Sequence, residues 1–445
     1  MTFLQARLMG GSGGGGGGGG PWPGRLRRSN LNFVTPDGAI QKIKGHTGFR
    51  LAELAFKGEW GRVDDFIGPA AAMRFNCNRD FTGMWDNTGW NCYRQRGYDA
   101  VHQLCIRLRD KFSYYYFSVY FCNQRSGGPN CLSHGEQDEH VRLLTEVADD
   151  AGNVFGEIEN ETLDGDNTGN GSLTSRFSSA DFARLMMTRA TWDTGSPSSP
   201  NPEEVGTWMD WATFHPSRDN PEWPWESAKL SYETQKGGLT PFPAAHRPAM
   251  PGEPTRIAEG TTPRQWADCA FHCLNLGMGL IVHGGFKSLP SASHHQTDLQ
   301  NCVWPKPGEP GYDCLEAVSV IWNSPLIVLN AAADGAFRRA AVLSPDDPPQ
   351  YGEVPGQGHT RIYPQIDGEC PIVHWDRYID AQVQYEDPRG AGRNYWMKMP
   401  DGTMVGGPID IGPDWTLEPR LGYHVVEQGG YTGDGKGGNI LVMRK

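Results

Sequence analysis

Along residues 31–335 of this 445-residue chain, apolar stretches of strand length alternate with helical patterns, the arrangement that parallel βαβ units produce. Leu31–Val34, a turn at Pro36-Asp37-Gly38 and Ile40–Lys44 read as a hairpin closing the bottom of a barrel. Thr47–Leu51 is the expected first strand and Ala71–Asn76 (AAMRFN) the second. Tyr98–Lys111 carries its apolar residues at helical spacing. Ser113–Cys122 (SYYYFSVYFC) is almost wholly apolar, as a strand covered on both faces should be, and stands third. Glu139–Ala151 predicts a helix and Val154–Glu161 (VFGEIENE) the fourth strand. Ser179–Arg189 looks helical behind a Ser cap, with a short fifth strand near Met187–Thr191. Trp208–Phe214, Arg247–Gly252 and Met278–His283 supply strands six to eight. Between the last two, Pro263–Leu276 is a helix with Pro in its first turn, and Asp313–Trp322 reads as the closing helix. The sum predicts an α/β fold, a (β/α)₈ barrel.

The flanks differ. Residues 10–20 (GGSGGGGGGGG) cannot pack a core, so residues 1–30 read as a flexible Gly-rich tether. Beyond about residue 335 helical periodicity stops and short alternating runs appear, at Thr360–Ile366, Ile379–Tyr385, Tyr395–Met399, His424–Glu427 and Asn439–Met443. Residues 336–445 are therefore expected to form a separate all-β, sandwich-like module.

Composition narrows the partners. A formal charge of −12, with one basic cluster at Arg25–Arg28, argues against nucleic acid, which needs grouped Lys and Arg. No run of eighteen apolar residues exists to span a membrane, and MTFLQARLMGG lacks the shape of a standard signal peptide. A cytoplasmic or virion-associated location is expected before classical secretion. The 15 Trp are generous enough to line a sugar site as well as to fill a core. Of the ten cysteines, Cys269 and Cys273 sit awkwardly for a disulfide on one helix, whereas Cys122/Cys131 and Cys302/Cys314 flank loops and suit one better. Most of the thiols are expected to be free and buried.

The chemistry is expected where the strands end. Glu159-Asn160-Glu161 closes the fourth strand and Pro251-Gly252-Glu253-Pro254 the seventh, and in a barrel these ends share one mouth. Two carboxylates about 5 Å apart there, one protonated and one ionised, are what retaining glycoside hydrolysis requires. Strand alternation puts Glu157 and Glu159 on the same side as Glu161, and Glu161 is preferred as the last of the series, directly after Asn. His294-His295-x-x-Asp298, Asp164–Asn167 and Gly433–Gly438 lack the ligand sets or spacings of metal, calcium and phosphate sites.

These residues resemble the (β/α)₈ glycosidase clan that includes cellulases and β-mannanases, particularly family 5. Asn160-Glu161 matches the strand-four pair that supplies the acid/base. Arg247-Pro-Ala-Met-Pro-Gly-Glu253 matches the strand-seven ending that supplies the nucleophile. The resemblance implies that Arg74 braces the nucleophile, that His215 lines the site, and that Asn160 holds a sugar hydroxyl. Trp85 would lie in a substrate loop. His283 ends strand eight where the clan usually carries a platform Trp, and it joins the expected substrate-binding set. The implied function is a retaining glycoside hydrolase acting on a β-linked poly- or oligosaccharide, with carbohydrate as partner and no cofactor or metal. The alternative is a phage virion structural or glycan-binding protein that uses the barrel as a scaffold and assembles through its N-terminal segment.

Overall fold

The computed structural model of the chain describes residues 22–29, 32–82, 90–121, 132–160, 176–190, 192–193, 210–215, 247–254, 278–284 and 301–322. It also describes single positions between 261 and 273 and seven strands between 360 and 444.

Two short strands, β1 (Arg27–Ser29) and β2 (Asn32–Val34), pair antiparallel ahead of the repeating units. The expected turn follows: Gly38 N–H donates to the Thr35 carbonyl and Val34 bridges Ile40. This lead-in plugs the barrel. Leu26 and Phe33 are buried with the inward-facing residues Ile43, Phe117, Phe155 and Trp211. Phe117 and Phe155 stack at 5.1 Å, and Trp211 meets both edge-on. The lower barrel is thus filled by an aromatic layer.

The barrel strands follow in order: β3 (Lys44–Thr47), β4 (Cys77–Phe81), β5 (Tyr115–Phe121), β6 (Val154–Glu159) and β7 (Met187–Ala190). Then come β8 (Trp192–Asp193), β9 (Ala212–His215), β10 (Ala249–Pro251) and β11 (Leu280–Val282). A six-stranded parallel sheet runs β11-β3-β4-β5-β6-β7, and a three-stranded parallel sheet runs β10-β9-β8. Because β11 pairs with β3, the last strand of the ring lies beside the first and the sheet curls. β7 and β8 are separated only by Thr191 and serve one sheet each, so the fifth position hands over between them. All these pairings are parallel, so every strand delivers its C-terminal end to the same mouth.

Helices cover the outside for reasons written in the chain. α1 (Leu51–Phe56) and α2 (Trp60–Ala72) follow β3. α3 (Cys92–Gln95) is a single turn capped by Asn91, whose side chain accepts from the Arg94 N–H. α4 (Tyr98–Phe112) turns its apolar stripe, Val101, Leu104, Cys105 and Leu108, inward. α5 (His134–Ala151) opens with a Ser133/Glu136 capping box and ends at Gly152, whose φ of 82° is the left-handed stop that glycine adopts without strain. α6 (Pro310–Trp322) follows β11 in the chain. Pro263, Gln265, Trp266, Cys269, Ala270 and Cys273 are helical, as their pattern predicts.

Several expectations shift. Strand one is Lys44–Thr47 rather than Thr47–Leu51, because Leu51 opens α1. Ala71–Asn76 is not a strand. Its first residues finish α2, Arg74 takes a left-handed turn at φ 60°, and the strand begins at Cys77. Ser179–Arg189 holds a 3₁₀ turn at Ser179–Phe182 and then β7, so the short fifth strand is where the sequence places it. Cys302 and Cys314 are buried thiols not joined to each other, which corrects the expected disulfide. Cys122 and Cys131 lie outside the described residues, as does the Gly-rich segment.

The chain beyond 335 contributes β12 (Thr360–Tyr363), β13 (Ile372–Trp375), β14 (Gln382–Glu386), β15 (Asn394–Lys398), β16 (Met404–Val405), β17 (Thr416–Pro419) and β18 (Asn439–Arg444). They form antiparallel sheets of order β12-β13-β18-β17 and β14-β15-β16. No helix among the described residues is long and apolar enough to cross a membrane.

Candidate active site

The mouth of the barrel is organised around a buried arginine. Arg79 lies in the middle of β4, pointing inward from the same strand face as Cys77 and Phe81, and none of its surface reaches solvent. Its guanidinium carbon sits 5.2 Å from the Phe117 ring centre and 5.1 Å from that of Phe81, so the planar cation rests on the aromatic layer below. From there Nη1 donates to Glu253 Oε1 at 2.5 Å. Nη2 donates to Asn160 Oδ1 at 2.6 Å and to Glu157 Oε2 at 3.1 Å. One side chain thus ties strand two to the ends of strands four and seven. Burial works against the Arg79 charge, but attraction to Glu157 and Glu253 outweighs it and raises the pKa above that of a free guanidinium.

Glu253 follows β10 by two residues and is 3% exposed, placed at the edge of the mouth rather than out in water. Two imidazoles approach it. His215, the last residue of β9, brings Nε2 to 3.8 Å from Oε1. His283, just after β11, brings Nε2 to 3.4 Å from Oε2. Gly252 is required beside it: a Cβ there would stand 2.5 Å from Thr213 Oγ1. Asn160, directly after β6, accepts from Arg79 and stays in the mouth. A guanidinium donating into a carboxylate favours its charged form, and a buried, ionised carboxylate at a strand end is equipped to act as a nucleophile.

The sequence expectations therefore divide. Glu253, Asn160, His215 and His283 are brought together. Arg74 is not among them. It is exposed in the turn before β4, at the opposite end of that strand from the mouth, and Arg79 takes the bracing role assigned to it. Glu161 and Trp85 lie outside the described residues. Of the competing carboxylates, Glu157 is the wholly buried ion-pair partner of Arg79, and Glu159 is buried as well. Arg79 was open to sequence reasoning only through its odd placement, a charge inside the apolar frame of Phe75, Cys77 and Phe81. Among the described residues no group of three or more His, Cys, Asp or Glu is arranged to hold a metal ion.

Behind the same strand, Asp80 points away from the barrel axis and is also fully buried. Its Oδ2 accepts from the Ala52 N–H at 2.8 Å and from the Tyr116 hydroxyl at 2.9 Å, pinning α1 to the sheet. Burial pushes its carboxyl pKa up to about 7 despite those two donors.

Comparison with solved structures gives this architecture its class. A structure described as a glycoside hydrolase superposes with a TM-score of 0.53 at 14% identity, covering 96% of this chain and 98% of that one. A family 5 glycoside hydrolase from Bacteroides vulgatus superposes with a TM-score of 0.54 at 12% identity, covering 96% of this chain and 94% of that one. No sequence-family model matches the chain, and no curated protein matches it. The chain has the fold of the family 5 glycoside hydrolases, at a distance where the likeness is one of architecture.

Proposed function

We propose that this protein is a retaining glycoside hydrolase acting on a β-linked poly- or oligosaccharide, with Glu253 as nucleophile and Glu161 as acid/base. The observation that carries the reading is the Arg79 bridge, which holds Glu253 and Asn160 together at the C-terminal mouth of a glycosidase-type barrel. Glu161 directly follows Asn160, so the chain leaves that bridge at the residue assigned to proton transfer.

In this mechanism Glu161 protonates the departing glycosidic oxygen while Glu253 attacks the anomeric carbon. Water activated by Glu161 then releases the sugar with its configuration kept. Arg79 keeps charge on the attacking group, Asn160 offers its amide to the sugar hydroxyl beside the anomeric carbon, and His215 lines the same side. The chemistry uses carboxylates and water and calls on no cofactor.

The test is turnover of a panel of β-linked glucans, mannans and xylans, with the product anomer followed by proton NMR. Retention is expected, with loss of turnover in Glu253→Ala and Glu161→Ala. Azide should rescue the first as an α-glycosyl azide and the second as a β-glycosyl azide, because the ion replaces a different carboxylate in each. Inversion, or wild-type activity surviving in Glu253→Ala, would overturn the assignment. Assembly through residues 1–30 without turnover would instead favour a glycan-binding scaffold.

A further inference from the structure

The strand-eight position offers more than a wall for the sugar. His283 is 1% exposed and its ring is set by neighbours from strand one. Phe49, two residues beyond β3, packs on it with ring centres 5.5 Å apart and is itself held edge-on against Phe81 at 4.1 Å. The backbone is fixed one residue later, where the Gly284 N–H donates to Thr47 Oγ1 at 3.2 Å. An imidazole clamped this way presents Nε2 to Glu253 Oε2 at 3.4 Å, while Arg79 grips the other oxygen at 2.5 Å. The carboxylate is addressed at both oxygens by groups from strands on either side of it.

The two contacts are unequal. Arg79 makes a short charge-assisted bond to Oε1, and His215 faces the same atom at 3.8 Å. Each carboxylate oxygen offers about two lone-pair sites. With Oε1 gripped by Arg79, Oε2, the oxygen that His283 faces, is the one assigned to bond formation. We propose that His283 is a positioning residue for Glu253: it fixes the rotation of the carboxylate so that Oε2 attacks, and its Nε2–H supports that oxygen when it leaves. The proposal rests on the retaining reading.

The steps balance without an added reactant. In the first, the Oε2–C1 bond forms as the bond from C1 to the leaving oxygen breaks, and that oxygen takes the proton of Glu161. In the second, water loses a proton to Glu161 as its oxygen bonds to C1, and the electron pair of the C1–Oε2 bond returns to Oε2. A proton offered from His283 Nε2 to that oxygen, 3.4 Å away, is held more strongly as charge reappears there, so its loss weighs on release of the sugar more than on its capture. A platform Trp in this place would stack on the sugar but would aim no such donor.

The experiment separates the hydrogen bond from packing. His283→Gln keeps an N–H of similar reach, and His283→Met fills similar volume without one. His283→Leu substitutes for Met should that variant not fold. Each is incubated with 2,4-dinitrophenyl 2-deoxy-2-fluoro-β-glucoside and the matching mannoside. Intact mass and peptide mapping follow adduct formation at Glu253 and its decay after removal of excess reagent. The expected result is decay slowed at least about tenfold in Met, a smaller effect on formation, and substantial recovery in Gln. Equal slowing in Gln and Met, or wild-type decay in Met, would overturn the role of His283. Failure of the wild type to label at Glu253 with either reagent would overturn the retaining reading on which the proposal stands.

Discussion

Arg79 Nη1 and Glu253 Oε1 meet at 2.5 Å inside the barrel although 174 residues separate them in the chain. Neither side chain has appreciable solvent contact, so each supplies the counter-charge that water would otherwise provide. Glu157 shares the same guanidinium, which makes Arg79 the member that two buried carboxylates depend on.

Removing that member should therefore be costly. Arg79→Met is expected to lose about 3–5 kcal/mol of stability, the range for breaking one side of a buried ion pair. Arg79→Lys keeps a charge but lacks the planar fork that reaches Glu253, Asn160 and Glu157 together, and should recover only part of the loss. Urea unfolding of the three proteins followed by Trp fluorescence checks both expectations. An Arg79→Met midpoint equal to the wild type would show that the network does not hold the barrel.

Asp80 should make stability fall with rising pH. Its carboxyl pKa in the folded protein, about 7, lies above its ordinary value because the group is buried. The unfolded chain thus releases this proton at lower pH than the folded one does. The contribution is present at pH below about 4 and is lost as pH climbs through 7, at up to about 1.4 kcal/mol per pH unit. Asp80→Asn removes the titration while leaving an acceptor for Ala52 and Tyr116. The melting temperature of the variant relative to wild type is expected to rise between pH 5 and pH 8. A difference that does not change with pH would contradict this.

Gly252 should tolerate no side chain. A methyl group there meets Thr213 Oγ1 at 2.5 Å and comes within 3.7 Å of His215 Nε2. Gly252→Ala is expected to cost about 1–3 kcal/mol by overpacking. Gly61, in the first turn of α2 with nothing within 4 Å of its would-be Cβ, provides the contrast. Gly61→Ala should be neutral or stabilising by up to about 1 kcal/mol. Paired thermal melts distinguish the two, and an unchanged Gly252→Ala melt would refute the packing argument.

The buried thiols should react with a thiol reagent only on unfolding. Cys77, Cys92, Cys105, Cys269, Cys273, Cys302 and Cys314 are buried thiols. Burial raises the pKa of Cys92, Cys105 and Cys314, and Cys302 and Cys77 likewise sit well above the usual thiol range. Without reductant, a thiol reagent is expected to react slowly with the native protein and to count at least seven groups in guanidinium chloride. Peptide mapping that finds Cys302 joined to Cys314, or fewer than seven reactive groups in the denatured protein, would contradict this.

What the sequence determined was whatever depends on neighbours in the chain. The run Tyr115–Phe121 is apolar throughout because both faces are covered, and that shows in composition alone. The Ser133/Glu136 box and Gly152 mark the ends of α5, since caps are local chemistry. The short strand at Met187–Ala190 and the placement of Glu253 just after strand seven were legible for the same reason.

Only the tertiary structure decided strand two and, with it, the residue that braces the site. Ala71–Asn76 has the more strand-like composition, whereas Cys77–Phe81 carries Asn, Arg and Asp in five residues, all of them buried. Read locally, two charges in a buried strand are prohibitive. They are tolerated because Arg79 is neutralised by Glu157 and Glu253, and Asp80 is satisfied by Ala52 and Tyr116, partners 28 to 174 residues away. Arg79 can be buried as a charge because its counter-charges are buried with it, whereas burial moves Asp80 toward its neutral form, and both environments exist only once the barrel has closed.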